Sequence, residues 1–150
     1  MRFIETVFQK LKRHPKRIVF PEGTEPRVLR AASRFAKLQL GTPVLLGDRD
    51  EIEKLASEEK LSLDHVGIID PRTASDLPVF VQRLEKLKRY RDLGSKQAEE
   101  IMTQPNYFGA MMIQYGQADA LVTGARATAA SSLRPLIQLI KPLPTTTSIS

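Results

Sequence analysis

The feature that most constrains this chain of 150 residues is its punctuation. Short apolar runs, each closed by proline, glycine or aspartate, alternate with longer stretches in which apolar residues recur every three to four positions. Residues 17–20, 43–46, 66–69 and 118–123 read as buried strands. The first is closed by Pro21 and Gly23, the third by Asp70 and Pro71. Between them the spacing predicts helices. Phe3, Ile4, Val7, Phe8 and Leu11 share one face of a helix that His14 and Pro15 end. Pro26 fits the first turn of a second, with Val28, Leu29, Ala32, Phe35 and Ala36 facing inward and Gly41 just past its end. Asp48 and Glu51 resemble a capping box ahead of Ile52 and Leu55, and Asp76 is placed to cap a helix carrying Leu77, Phe80, Leu84 and Leu87. Further helices are expected over 95–102 and 107–115. A last one, capped by Ser132 with Pro135 in its first turn, is expected to run to about Lys141.

Strands alternating with helices predict an α/β fold, a parallel sheet with helices on both faces. Such sheets bind ligands beyond the carboxyl ends of their strands, in the turns that lead into helices. Two turns qualify, residues 20–24 and 123–132. In the second, Gly124 lets the backbone approach a ligand, and Thr128, Ser131 and Ser132 offer hydroxyls just before a helix start. Arg126 and Arg134 add guanidinium forks that match phosphate oxygens. The alternative for this turn is a small-residue loop with an N-cap and two surface arginines. The first turn, with Glu22, Gly23, Thr24 and Arg27, reads as a tight strand-to-helix connection.

Composition narrows the chemistry. There is no cysteine, which excludes disulfides and a thiol nucleophile, and with only two histidines a histidine-rich metal centre is not expected. No apolar run approaches the roughly 20 residues that span a bilayer, so no membrane association is expected. The N-terminus, with Arg2, Glu5 and Gln9 among its apolar residues, does not read as a secretory signal, and a cytoplasmic location follows as the expectation. The net charge of +6 points to an anionic partner. With aromatic residues at 6% and no tryptophan, a stacking platform for nucleic acid has little to work with, which favours a phosphorylated small molecule.

The segments KRIVFPEGTEPRVLRAA (16–32), VLLG (44–47), IIDP (68–71), NYFGAMM (106–112) and ADALVTGA (118–125), continued by Leu133, Arg134, Pro135, Gln138, Ile140 and Lys141, resemble the phosphate acetyl/butyryltransferase family over nearly the whole chain after residue 15. The resemblance implies the N-terminal half of a two-domain, usually dimeric enzyme. The half would be built like domain I of the isocitrate/isopropylmalate dehydrogenase-like fold, residues 1–141 forming the α/β domain and 142–150 opening a second, truncated domain. It implies acetyl transfer between coenzyme A (CoA) and phosphate in a cleft between the domains, with CoA as a substrate, no separate cofactor and no metal in the chemistry. By position it makes Arg134 a phosphate clamp and Thr128 and Ser132 hydroxyls of the same loop. The family's Ser-Arg pair and an Asp base belong to its second half, so no catalytic residue is expected here. The family's loop reads Ser-Gly-Ala-x-His-Ser/Thr-Thr, whereas here Thr123, Ala127 and Ala129 replace the first serine, the histidine and the last threonine, and Ser131 stands where Asp or Asn is common. These losses leave open a non-catalytic or regulatory paralogue that binds CoA or acyl phosphate.

Overall fold

The structure, a computed structural model, describes residues 2–140. The boundary at 142 and the segment beyond it lie outside the described residues. The sheet has four strands, β1 (Lys16–Phe20), β2 (Gly41–Leu46), β3 (Gly67–Ile69) and β4 (Ala120–Leu121), in the order β3-β2-β1-β4, every neighbouring pair parallel. Among the described residues seven helices accompany it: α1 (Arg2–Arg13), α2 (Pro26–Lys37), α3 (Arg49–Glu58), α4 (Leu77–Lys86), α5 (Ser95–Met102), α6 (Pro105–Gln114) and α7 (Ala129–Leu139). A short 3-10 turn over Lys88–Tyr90 follows α4.

Side chains along a strand point alternately to the two faces, and here that alternation separates two cores. Val19, Val44 and Leu46 pack on one face against α4, α5, α6 and α7, where Phe80, Met102, Phe108, Met111 and Met112 are buried. Phe20 and Leu45 pack on the other against Leu29 and Ala32 of α2 and Ile52 and Ala56 of α3. Helices therefore cover both faces, as the apolar pattern predicts, and the strands read as near-continuous apolar runs because neither face meets water.

Several local expectations are corrected. Ser132 does not cap α7. Thr128 does: its Oγ1 accepts the Ser131 N–H at 3.2 Å, and Ser132 lies inside the helix. Pro135 therefore stands in the helix interior, where its missing N–H leaves the Ser131 carbonyl without a helical donor. Asn106 Nδ2 on α6 donates to that carbonyl at 3.4 Å, so a side chain replaces the lost backbone bond. Asp76 makes no capping bond and accepts from Gln117 Nε2 instead. Gly41 opens β2 rather than closing α2, and the left-handed position after that helix belongs to Gln39, with φ 54°. The fourth strand is two residues long: the Val122 N–H still bonds the Val19 carbonyl at 3.0 Å, but Pro21 on the β1 side has no N–H to carry the ladder further. Helix α1 forms over its expected residues, yet none is buried and Phe3 is 78% exposed.

The Ser132 hydroxyl is enclosed without a hydrogen-bond partner among the described residues. An unsatisfied buried hydroxyl costs roughly 1 kcal/mol or more. Ser132→Ala is expected to raise stability by about 1 kcal/mol, seen as a higher urea midpoint with an unchanged denaturant slope.

Candidate functional site

The carboxyl ends of β1 and β4 lie side by side, since Val19 pairs with Leu121. That register brings the turn after β1 against the turn after β4, although about a hundred residues separate them. Gly23 lets the first turn lie close against the end of β2. Its N–H bonds the Leu46 carbonyl at 3.1 Å, and a Cβ on residue 23 would stand 2.5 Å from that oxygen.

The two turns are joined by Glu22. Its Oε1 accepts the N–H groups of Gly124 at 2.6 Å and Ala125 at 2.9 Å, and its Oε2 accepts those of Arg126 at 2.5 Å and Ala127 at 3.2 Å. Thr123 Oγ1 lies 3.1 Å from Glu22 Oε1 and 3.0 Å from Asn106 Oδ1, which share its proton. Gly124, at φ 107°, adopts a backbone angle that L side chains rarely take, and this lets successive N–H groups converge. The turn is thus an anion nest, as its composition implies, and the anion in it is the protein's own carboxylate. Burial alone would raise the Glu22 pKa, but the four N–H bonds outweigh it and hold the carboxyl at about 2, against an ordinary 4.5.

A depressed carboxylate stabilises the fold above its unfolded pKa and loses that contribution as pH falls through the folded one. Allowing for its partial exposure, Glu22 contributes about 2 kcal/mol near neutrality, fully present above about pH 4.5 and gone below about pH 2. Glu22→Gln is expected to lie about 2 kcal/mol below wild type in urea unfolding at about pH 5, the gap closing as the pH approaches about 2.

Glu25 adds a second tie. It is buried at the N-cap of α2, where its Oε1 accepts Arg27 Nε at 2.7 Å and its Oε2 forms an ion pair with Arg126 Nε at 2.8 Å. The hydrogen bond and charge of Arg27, with Arg126 behind it, hold the Glu25 carboxyl below the usual carboxylate range. Arg27 Nη2 also reaches the Ala125 carbonyl at 2.7 Å. Beside this cluster lies a cavity of about 450 Å³, bounded by Glu22, Glu25, Asn106, Tyr107, Arg126 and Ser131.

The charges are distributed unevenly. Glu22, Glu25, Arg27 and Arg126 neutralise one another, so Arg126 is spent on Glu25 while remaining 64% exposed. Arg134 makes no ion pair among the described residues. It borders a recess with Ser131, Gln104 and Tyr107, and a second with Arg89, Leu133 and Ile137. Ser131 and Tyr107 also border the larger cavity, so the three hollows follow one another along α7. At their far end Tyr90 and Tyr107 both donate to Gln138 Oε1. Burial first, and then the neighbouring Tyr107 hydroxyl, push the Tyr90 hydroxyl up to about 12, so it stays a neutral donor.

Of the six candidate residues, Gly124, Arg126, Thr128 and Ser131 lie in or beside the turn, with Thr128 Oγ1 donating to Ser131 Oγ at 3.0 Å. Arg134 is farther along α7 but borders a recess with Ser131. Ser132 stands apart, its hydroxyl enclosed. The sequence names Glu22 only within a turn read as a tight connection, and gives Glu25 and Asn106 no role. A local reading cannot find a carboxylate whose partners lie about a hundred residues away. The available signal was an anion-seeking turn with an acidic residue at the carboxyl end of a neighbouring strand. Among the described residues no group of His, Cys, Asp and Glu is placed to hold a metal ion, and no helix is long and apolar enough to cross a membrane.

Comparison with known proteins places this geometry. The chain is 35% identical over 150 residues to the phosphate acetyltransferase of Acetivibrio thermocellus, covering 100% of this chain and 45% of that enzyme. It is 37% identical over 136 residues to that of Bacillus subtilis, covering 91% and 42%. Among solved structures it superposes on the EutD phosphotransacetylase of Staphylococcus aureus with a TM-score of 0.87 at 32% identity, covering 98% of this chain and 44% of that one. A phosphotransacetylase of Streptococcus pyogenes gives 0.83 at 31%. The chain thus spans less than half the length of each of these relatives. The sequence pattern that defines one family extends over residues 2–150, and the chain belongs to that family, the phosphate acetyl/butaryl transferases.

Proposed function

We propose that this chain supplies one half of a phosphate acetyltransferase site, interconverting acetyl-CoA and phosphate with acetyl phosphate and CoA. The observation that carries the reading is the row of hollows along α7. It runs from the mouth of the anion turn, past Ser131, to the unpaired Arg134 beyond the carboxyl ends of β1 and β4. In the reaction the CoA sulfur attacks the acetyl carbonyl carbon, the carbon–oxygen bond to phosphate breaks, and phosphate leaves with the bonding electrons. Both substrates are anions, and holding them side by side is the larger part of the task. Arg134 is suited to clamp phosphate oxygens, with Ser131 bordering the same recess. The group that takes the thiol proton is assigned to the other half of the site. CoA is a substrate in this reading, not a resident cofactor. The protein is read as cytoplasmic, independent of nucleic acid and membrane, and homodimeric when both halves are present.

A second reading is favoured by the pairing of Arg126 with Glu25 and by the alanines at 127 and 129. It is a non-catalytic module that binds CoA or acyl phosphate. The test is calorimetric titration of the 150-residue chain with CoA, joined to an assay of acetyl-CoA formation from CoA and acetyl phosphate. Binding without turnover is expected of the chain alone. Turnover by the chain alone would show that no second half is needed, and absence of binding would remove both readings. A protein containing both halves that binds CoA but forms no acetyl-CoA would establish the second.

A further inference from the structure

The most heavily bonded polar side chain at the site belongs to a residue that the proposed reaction does not use. Glu22 receives four backbone N–H groups and lies within reach of the Thr123 hydroxyl. Such convergence is how proteins bind phosphate at the entry of a helix, and here a tethered carboxylate fills the place. An incoming phosphate would have to displace a partner held at the effective concentration of an intramolecular contact. It would also meet the Glu22 and Glu25 carboxylates, which accept charge-assisted bonds from the turn amides and from Arg27.

We propose that Glu22 is a positioning residue of the acyl-transfer site. It acts as the built-in anion of the 123–127 turn, so that substrate phosphate is received beyond the turn, in the recess that Arg134 borders with Ser131, and not by the turn's own N–H groups. Three observations converge on this. The turn's consecutive N–H groups are used up by one carboxylate. The turn so fixed ends at Thr128, whose side chain caps α7 and donates to Ser131 Oγ, so the shape of the turn sets where α7 begins. Asn106 ties the same two places together, through Thr123 Oγ1 and the Ser131 carbonyl. The charged groups around Glu22 are Glu25, Arg27 and Arg126, which balance among themselves once Glu22 is ionised. Removing its charge therefore leaves the turn with unpaired N–H donors and the cluster with an excess positive charge. The ligand part of this inference rests on the acyl-transfer reading, whereas the ordering of the turn does not.

The test compares the 150-residue chain with Glu22→Gln by amide hydrogen exchange and by CoA titration. In the variant, amides 124–127 are expected to lose at least roughly tenfold in protection, while the amides of Val19 and Val44 in the central strands keep theirs. CoA affinity is expected to fall roughly tenfold, although Glu22 touches no ligand, because Ser131 and the start of α7 lose their setting. In wild type the turn amides are expected to show an acid transition near the folded pKa of about 2, absent from the variant. Unchanged protection at 124–127 overturns the proposal. So does lost protection with unchanged CoA affinity, which would make Glu22 a purely structural tie. If wild type binds no CoA, the acyl-transfer reading and the ligand clause fall together, and exchange alone decides whether Glu22 orders the turn.

Discussion

Alanine at position 23 is expected to destabilise the chain by about 3 kcal/mol and to pull the Glu22 carboxylate out of the turn it fills. Gly23 lies where the first turn presses against the end of β2. An added Cβ would stand 2.5 Å from the Leu46 carbonyl oxygen, 3.0 Å from Ile52 Cδ1 and 3.2 Å from Leu45 Cβ. The first of these is backbone of a central strand and cannot turn aside, so the glycine side must move. Overpacking of this kind costs roughly 1–3 kcal/mol, and loss of the Gly23 N–H bond to Leu46 adds roughly 1 kcal/mol. The check is urea unfolding, with a lowered midpoint and an unchanged denaturant slope. Because Glu22 is the adjacent residue, the exchange protection of amides 124–127 is expected to fall with stability. Core substitutions elsewhere would lower stability without singling out that turn.

Replacing Arg134 by alanine is expected to raise the Kd for CoA about 30-fold with little change in stability. The loss of a charge-assisted bond to phosphate is worth roughly 2 kcal/mol, which is about 30-fold in affinity. Arg134 lies on the outer side of α7 and makes no ion pair among the described residues, so removing it disturbs no internal partner. Arg134→Lys should recover part of the affinity but not all, since an ammonium cannot reproduce the planar fork. Arg126→Ala should weaken CoA binding much less, because that guanidinium already serves Glu25. Isothermal titration calorimetry of the three variants checks the order. Equal losses at 126 and 134 would contradict the division of charge described above.

The sheet was legible because the strands carry apolar residues on both faces. Val19 beside Phe20, and Leu45 between Val44 and Leu46, can be buried together only if helices lie above and below. The last helix was harder. Proline is favoured in a first turn, so a sequence reading sets the start of α7 at Ser132. The structure starts it at Ala129 and leaves Pro135 inside, a placement that depends on Asn106 satisfying the Ser131 carbonyl from another helix. No pattern within the helix announces that partner. Strand β4 proved shorter than its apolar run because its partner β1 runs into Pro21, which has no N–H to continue the ladder after the Val122 N–H bonds the Val19 carbonyl. At the site, Gly124 marked a turn whose backbone N–H groups can converge on an anion. What occupies the nest was not legible, because β1 and β4 must pair before Glu22 can reach it. The amphipathic face of α1 was legible too, yet its apolar side remains uncovered among the described residues, where Ile4 as well as Phe3 is exposed.

The most direct test of the half-site is an amide NMR titration of the 150-residue chain with CoA. The expected result is a dispersed spectrum in which shifts concentrate on Arg126 to Gln138, with Arg89 and Tyr107 beside them, and spare β2, β3 and α3. A dispersed spectrum that does not respond to CoA, or responds only around Asp48 and Asp70, beyond the carboxyl ends of β2 and β3 on the other side of the sheet, would contradict it.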